Sequence, residues 1–360
     1  MPCGRESAAA CKKKTEENAD MKSFAQKLDF RVHIAGDMIK DHGEDNYYSV
    51  MRGNCAVAAV FDGCGGIGSR KYPRFMDHTG AYMASRAASG ALHDWFHETD
   101  GGSGAIRGAE VAAQMKQYMF DALRVVGKYA GPTSRIFGTL VRDFPSTAAI
   151  AVVRNTEEGT ELQCFWAGDS RVYLLDQNGL AQLTEDDIEG RNAFSNLQSD
   201  GALTNVVALD SDFDIHCSRL LRFREKDAYS VFAASDGCFG YLPTPMDFEN
   251  MLLTTLQSSQ SENTFERKLE ENIRSVAGDD YTLEWISFGY GDFSRMKTAL
   301  KKRTEFMQNE YMETMKRDPS TQMQEKLWEV YRRDYERYMS SGKIPKTNTD
   351  APDVQQVTGR

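Results

Sequence analysis

A chain of 360 residues with 41% hydrophobic content has room for one large domain with a core and an appendage. No apolar run approaches the roughly 18 residues of a membrane span, and a net charge of −10 argues against a nucleic-acid binder, whose affinity would come from clustered Lys and Arg. The seven cysteines are scattered without a CxxC pair, which argues against zinc and for reduced thiols in the cytoplasm.

In chain order, residues 1–22 carry Lys12-Lys13-Lys14 but no apolar stretch after it, and read as a disordered tail rather than a secretory signal. Residues 30–34 and 47–50 read as strands flanking a polar loop that holds Lys40, Glu44 and Asp45. Residues 56–61 are a short apolar run closed by Asp62-Gly63-Cys64-Gly65-Gly66, so a buried strand ends in a carboxylate beside a bare backbone loop. The glycines let backbone come close to a ligand. Helical spacing covers 79–96 and 105–129, with a break at 100–104, and the two helices are expected to be adjacent.

Strand-like segments follow at 148–153, 162–167, 171–175 and 180–183, the last two joined by Asp176-Gln177-Asn178-Gly179, a hairpin signal. Residues 185–227 are polar and irregular and suit a mobile flap that shapes a substrate surface. A strand over 229–234 ends in Ser235-Asp236-Gly237, helices cover 248–256 and 265–276, and a last strand at 283–288 follows Asp279-Asp280. Strands and helices do not alternate, which favours an α+β arrangement of antiparallel sheets covered by helix pairs. Beyond 292, apolar stripes (Met296, Leu300, Met307, Tyr311, Met315; then Leu327, Tyr331, Tyr335, Tyr338) flank Asp318-Pro319-Ser320. They predict a C-terminal helical hairpin over 293–342 that packs on the main domain, binds a partner or self-associates. Residues 343–360 read as a disordered tail, leaving 23–292 as the main domain.

Asp45, Asp62, Asp236 and Asp279 all fall at strand ends, where a rigid sheet converges groups from distant sequence. Clustered carboxylates without His or Cys suit hard Mg²⁺ or Mn²⁺. Two such ions about 3.5–4 Å apart can hold a phosphoryl group and activate a bridging water for in-line attack.

In this order the motifs resemble the metal-dependent protein phosphatases of the 2C (PPM) type. The resemblance rests on Lys40 before Glu44-Asp45, Val60-Phe61-Asp62-Gly63-Cys64-Gly65-Gly66, Ser146-Thr147-Ala148, Ala167-Gly168-Asp169-Ser170-Arg171, Leu183-Thr184-Glu185-Asp186-Asp187, Asp200 to Thr204, Ser235-Asp236-Gly237 and Asp279-Asp280-Tyr281-Thr282. It implies a four-layer αββα sandwich of two antiparallel sheets flanked by helix pairs, and hydrolysis of phosphoserine and phosphothreonine on protein substrates. It further implies metal ligation by Asp45, Asp62, the Gly63 carbonyl, Asp236 and Asp279 or Asp280, a third weaker metal position at Asp169, and phosphate contact by Lys40. Catalysis would rest on Asp62, Asp236 and Lys40.

The chain departs from that pattern at Cys64, where the family has the His linked to leaving-group protonation, and at Lys40, which keeps the charge of the usual Arg but loses its fork. Asp187, Pro145 and Gly240 also stand where other residues are usual. None removes a metal ligand, so an active enzyme is expected, with water or Cys64 as the acid. A weak or inactive phosphoprotein-binding module of the same fold is the alternative reading, and an acidic scaffold built on the helical hairpin is a third.

Overall fold

The computed structural model describes residues 28–99, 108–131, 142–188, 192–198 and 201–339. The expected tails over 1–22 and 343–360, the break at 100–104 and Asp200 lie outside these. In chain order the strands are β1 Leu28–Gly36, β2 Asn46–Arg52, β3 Cys55–Phe61, β4 Lys71–Tyr72, β5 His78–Thr79, β6 Ala148–Thr156, β7 Gly159–Ala167, β8 Arg171–Asp176, β9 Gly179–Gln182, β10 His216–Cys217, β11 Leu221–Arg224, β12 Tyr229–Ala234 and β13 Tyr281–Phe288. The helices are α1 Gly80–Glu98, α2 Gly108–Ala130, α3 Ala193–Gln198, α4 Pro245–Ser258, α5 Glu262–Val276, α6 Phe293–Phe306, α7 Glu313–Arg317 and α8 Thr321–Tyr335.

Two antiparallel sheets result, one ordered β1-β13-β12-β8-β9, the other β10-β7-β6-β3-β2 with β11 also on β7. Every residue of β3 is buried, because the strand is covered on both faces. Its alternate positions enter different cores. Ala56, Ala58 and Val60 pack between the sheets with Ala149, Ala151, Val231 and Ile286. Cys55, Val57, Ala59 and Phe61 face α1 and α2 through Ala84, Ala88, Trp95, Met115 and Met119. On the far side Val32, Phe232 and Trp285 meet α4, α5, α6 and α8 through Leu252, Phe265, Met296 and Tyr335. The layers are therefore helix, sheet, sheet, helix. The adjacent pairing of α1 and α2 is sealed by Trp95 Nε1, which donates to Gln114 Oε1 at 3.0 Å.

Caps explain several boundaries. Thr79, Thr244, Ser261 and Ser320 accept a first-turn N–H at the starts of α1, α4, α5 and α8. Two readings need correction, the flap and the α8 stripe, while the covered face of Met307 and Tyr311 is kept. Residues expected to form a flap include β10 and β11, which pair with β7 and extend the sheet. The segment between α6 and α7, Met307–Met312, is a π-helical turn, which keeps Met307 and Tyr311 on the buried side. In α8 the buried stripe is Trp328, Tyr331 and Tyr335. Tyr338 lies past the helix and packs against the cluster between the sheets. The buried hydrophobic residues of α6 and α8 belong to the same cluster as β1, β12 and β13.

Candidate active site

Strand register brings the acidic residues to one end of the sandwich. Asn46 pairs with Phe61, so Asp45 and Asp62 are neighbours just outside β2 and β3. Ala234 pairs with Arg171 on one side and Leu283 on the other, so Asp236 emerges between the Asp169-Ser170 loop and the Asp279-Asp280 lead-in. Ser235 Oγ donates to Asp45 Oδ2 at 2.7 Å, which ties the ends of the two sheets together. Asp62 is anchored through its backbone: its N–H donates to Thr147 Oγ1 at 3.1 Å, and its carbonyl accepts from Thr147 N at 2.7 Å and Ser146 Oγ at 3.0 Å.

The electrostatics of this end are those of too many acids in too little water. Burial pushes the Asp45 carboxyl up to about 7, and the Asp236 charge pushes the same way. Burial and the charges of Asp236 and Asp186 push Asp169 up to about 8. Asp62 is held well above the carboxylate range by burial, then by Asp45, Asp236 and Asp169. Asp236 is raised by burial, and its carboxyl neighbours that of Asp62. Like charges this close cannot all ionise without a proton or cation between them. Asp45 Oδ1 is buried without a hydrogen-bond partner.

Among the described residues, no group of three or more His, Cys, Asp or Glu comes together closely enough to enclose a metal ion. The donor set still fits hard cations of the Mg²⁺ type, which keep several waters and take only one or two carboxylates from the protein. The facing Asp62–Asp236 pair and the unpartnered Asp45 oxygen are acceptors of that kind.

The doublet Asp279-Asp280 divides its labour. Asp280 accepts the N–H of Met38 and of Glu44, each at 2.7 Å, and so clamps the loop before β2. Asp279 is exposed, and its charge raises the Asp236 carboxyl. Gly63 is buried, and a Cβ there would lie 2.6 Å from the Ala81 carbonyl and 2.8 Å from that of Glu44. Gly237 is closer still, since a Cβ would sit 1.9 Å from the Asp280 carbonyl. Burial and the charges of Asp62, Asp169 and Asp236 hold the Cys64 thiol well above its usual range, hence neutral. Lys40 is not drawn into the cluster; it is exposed on the loop between β1 and β2, without hydrogen bond or ion pair among the described residues.

Two features escaped the sequence reading. Asp186 forms a buried bidentate pair with Arg171, at 2.9 and 2.7 Å, and Asp187 accepts from Gly168 N at 3.1 Å and lies 3.0 Å from His216 Nε2. Together they set the loop that carries Asp169. Beside Asp279 and Asp280 opens a cavity of about 430 Å³ lined by Met38, His42, Lys71, His78 and Tyr82. Its wall is a stack: the His78 and Tyr82 rings are 3.7 Å apart, and the Arg86 guanidinium lies 3.4 Å from the Tyr82 centroid. The four-residue spacing of 78, 82 and 86 was the available signal.

The family profile described as protein phosphatase 2C matches residues 38–274. No curated protein sequence matches the chain significantly. Among solved structures, a C. elegans sex determining protein is 14% identical, with 75% of this chain and 67% of that chain covered at a TM-score of 0.54. Serine/threonine phosphatase Stp1 from Staphylococcus aureus is 15% identical, with 73% and 96% covered at a TM-score of 0.51. The catalytic domain of the serine/threonine phosphatase PstP with two manganese ions is 17% identical, with 72% and 98% covered at 0.48. The first two share the fold.

Proposed function

Because this chain belongs to the protein phosphatase 2C family, we propose that it hydrolyses phosphoserine and phosphothreonine on protein substrates in a reaction that depends on divalent metal. The observation that carries this reading is the convergence of Asp45, Asp62, Asp169 and Asp236 from separate strand ends, with carboxyls that need a cation between them to ionise together. Asp45, Asp62, Asp236, Asp279 and the Gly63 carbonyl are the groups we assign to two Mn²⁺ or Mg²⁺ ions, with Asp169 at a third, weaker position. Bound there, the cations would neutralise phosphoryl oxygens and activate the attacking water.

The chain's own residues then hold and orient. The backbone bonds to Ser146 and Thr147 fix Asp62, and Ser235 fixes Asp45. Asp280 does not compete for metal while it holds the Met38 and Glu44 amides, which favours Asp279 as ligand. Lys40, free on its loop, is assigned to the phosphoryl oxygens. In the metal-free protein burial and the neighbouring carboxyls keep the Cys64 thiol neutral, and we assign the acid's role to water. Cys64, Cys164, Cys217 and Cys238 are free thiols, which suits a reducing, cytoplasmic setting. None of the described helices is long and apolar enough to cross a membrane.

The test is phosphate release from a phosphothreonine peptide by the full chain with Mn²⁺. Turnover is expected, abolished by EDTA, and reduced by roughly 10²–10³-fold in Asp62→Ala and Asp236→Asn. Wild-type silence with retained peptide binding would instead favour a phosphoprotein-binding module, the reading to which Cys64 and the detached Lys40 point.

A further inference from the structure

The cavity beside Asp279 and Asp280 has a built wall that the proposed hydrolysis leaves unused. The Arg86 guanidinium lies 3.4 Å from the Tyr82 ring centre, and the His78 ring lies 3.7 Å from it, nearly parallel at 7°. Two groups that close cannot share one face of a ring, so the order is Arg86, Tyr82, His78, with His78 outermost. Both ends of the stack are held. Arg86 Nη2 donates to the Gly43 carbonyl at 3.1 Å, which ties the base to the loop between β1 and β2. His78 pairs with Tyr72 across β4 and β5, and Tyr72 is buried against Phe144, with ring centres 4.8 Å apart. Among the described residues four other than glycine have positive φ, and three of them, Asp41, Met76 and Asp77, lie on the two loops that flank the stack. Such backbone persists only where its surroundings fix it, and it clusters at ligand clamps.

Three of the cavity's carboxylates are already engaged. Asp280 accepts the Met38 and Glu44 amides, Asp279 accepts the Asp280 amide at 2.8 Å, and Glu44 accepts the Thr79 hydroxyl. What the lining still offers is flat or apolar: the outer side of His78, with Met38 53% and Ile39 69% exposed beside it. At about 430 Å³ the space falls within the roughly 300–1,000 Å³ of ligand pockets. It adjoins Asp279, so a group bound here would sit close along the chain to the phosphoryl group. We propose that this cavity is a specificity subsite for an aromatic side chain near the phosphoresidue of the protein substrate, stacked on His78 and covered by Met38 and Ile39. The proposal deepens the phosphatase reading and rests on it for the identity of the substrate, while the binding of a ring is measured without turnover.

Binding is tested on the full chain with Mg²⁺ by ligand-observed NMR, using N-acetyl-tryptophan amide and N-acetyl-leucine amide. The tryptophan compound is expected to bind roughly fivefold more tightly, the size of an aromatic pair. His78→Ala is expected to remove that preference, and His78→Phe, which keeps the flat face, to retain it. Ile39→Glu, at an exposed position where folding is not at stake, puts a charge at the rim and is expected to weaken the tryptophan compound as well. Equal binding of the two compounds, or a preference unchanged in both His78→Ala and Ile39→Glu, would overturn the proposal. A kinetic arm compares kcat/KM for phosphothreonine peptides with tryptophan or alanine at each nearby position in turn. Tryptophan at one position is expected to raise kcat/KM roughly fivefold through KM. His78→Ala should cancel that gain and leave hydrolysis of p-nitrophenyl phosphate, which brings no side chain, unchanged. Turnover with no preference for tryptophan at any position refutes the subsite, as does loss of p-nitrophenyl phosphate hydrolysis in His78→Ala. Tryptophan binding that depends on His78, with no hydrolysis of any peptide, supports the ring site and sinks the phosphatase reading.

Discussion

In the proposed reaction Cys64 would stand at the proton donor's position. Its thiol is pushed up by burial and by three carboxyls. Cys64→His would put a group with an ordinary pKa near 6.5 there. If proton delivery limits turnover, kcat should rise and its pH profile should gain an alkaline limb; an unchanged profile means that water already does this work. A second titration belongs to stability. The hydrogen bond from His33 to Glu284, across β1 and β13, raises the His33 pKa above its ordinary 6.5. A raised folded-state pKa stabilises fully below about pH 6.5, and that contribution fades as pH climbs through the folded value. Urea midpoints should therefore fall from about pH 6 to about pH 9 more in wild type than in His33→Gln. The effect will be small, since His33 is 43% exposed on its side chain.

At the scale of elements, the helices after Asp292 are stitched to the sheet by buried polar contacts. Arg303 of α6 donates to Glu249 of α4 at 2.7 and 3.0 Å, and Tyr331 of α8 donates to the same carboxylate at 2.6 Å. Glu249 is fully buried. Arg303→Met leaves that charge with Tyr331 alone and should cost about 3–5 kcal/mol in denaturant unfolding, the usual effect of stripping one partner from a buried pair. Adding Glu249→Leu should recover much of the loss, because the orphaned charge is then gone. Full stability in the single variant would show that the pair is not stabilising. At the other end, Tyr335 lies 3.4 Å from Arg171 Nη1, and Arg337 donates to Asp176 at 3.0 Å, so α8 also touches the strand that follows Asp169.

For the whole molecule, these contacts join the C-terminal helices to the hydrophobic cluster that covers the five-stranded sheet. Met296, Leu300, Met307, Trp328, Tyr331 and Tyr335 are each 2% exposed or less, within the cluster that covers β1, β12 and β13. Truncation after Asp292 would expose this surface and is expected to give aggregated or poorly folded protein by size-exclusion chromatography and thermal melting. A soluble monomer with an unchanged melting temperature would refute that.

The carboxylate-bearing strand ends were legible because their signals are local. An apolar run buried on both faces, stopped by Asp-Gly, announces a strand end whatever it packs against, as at Phe61-Asp62-Gly63 and Ala234-Ser235-Asp236. The glycines were legible for the same reason, although what excludes a side chain at Gly237, the carbonyl of Asp280, came only with the fold. Pairings between distant residues were not legible. Whether Asp279 or Asp280 faces the cluster depends on which one captures the Met38 and Glu44 amides, some 240 residues away. The partner of Arg171, the seating of β11 on β7, and the burial of Trp328 rather than Tyr338 were likewise decided by register and packing. Periodicity says that a face is covered; only the tertiary structure says by what, because the free energy of covering it depends on surfaces brought together from elsewhere in the chain.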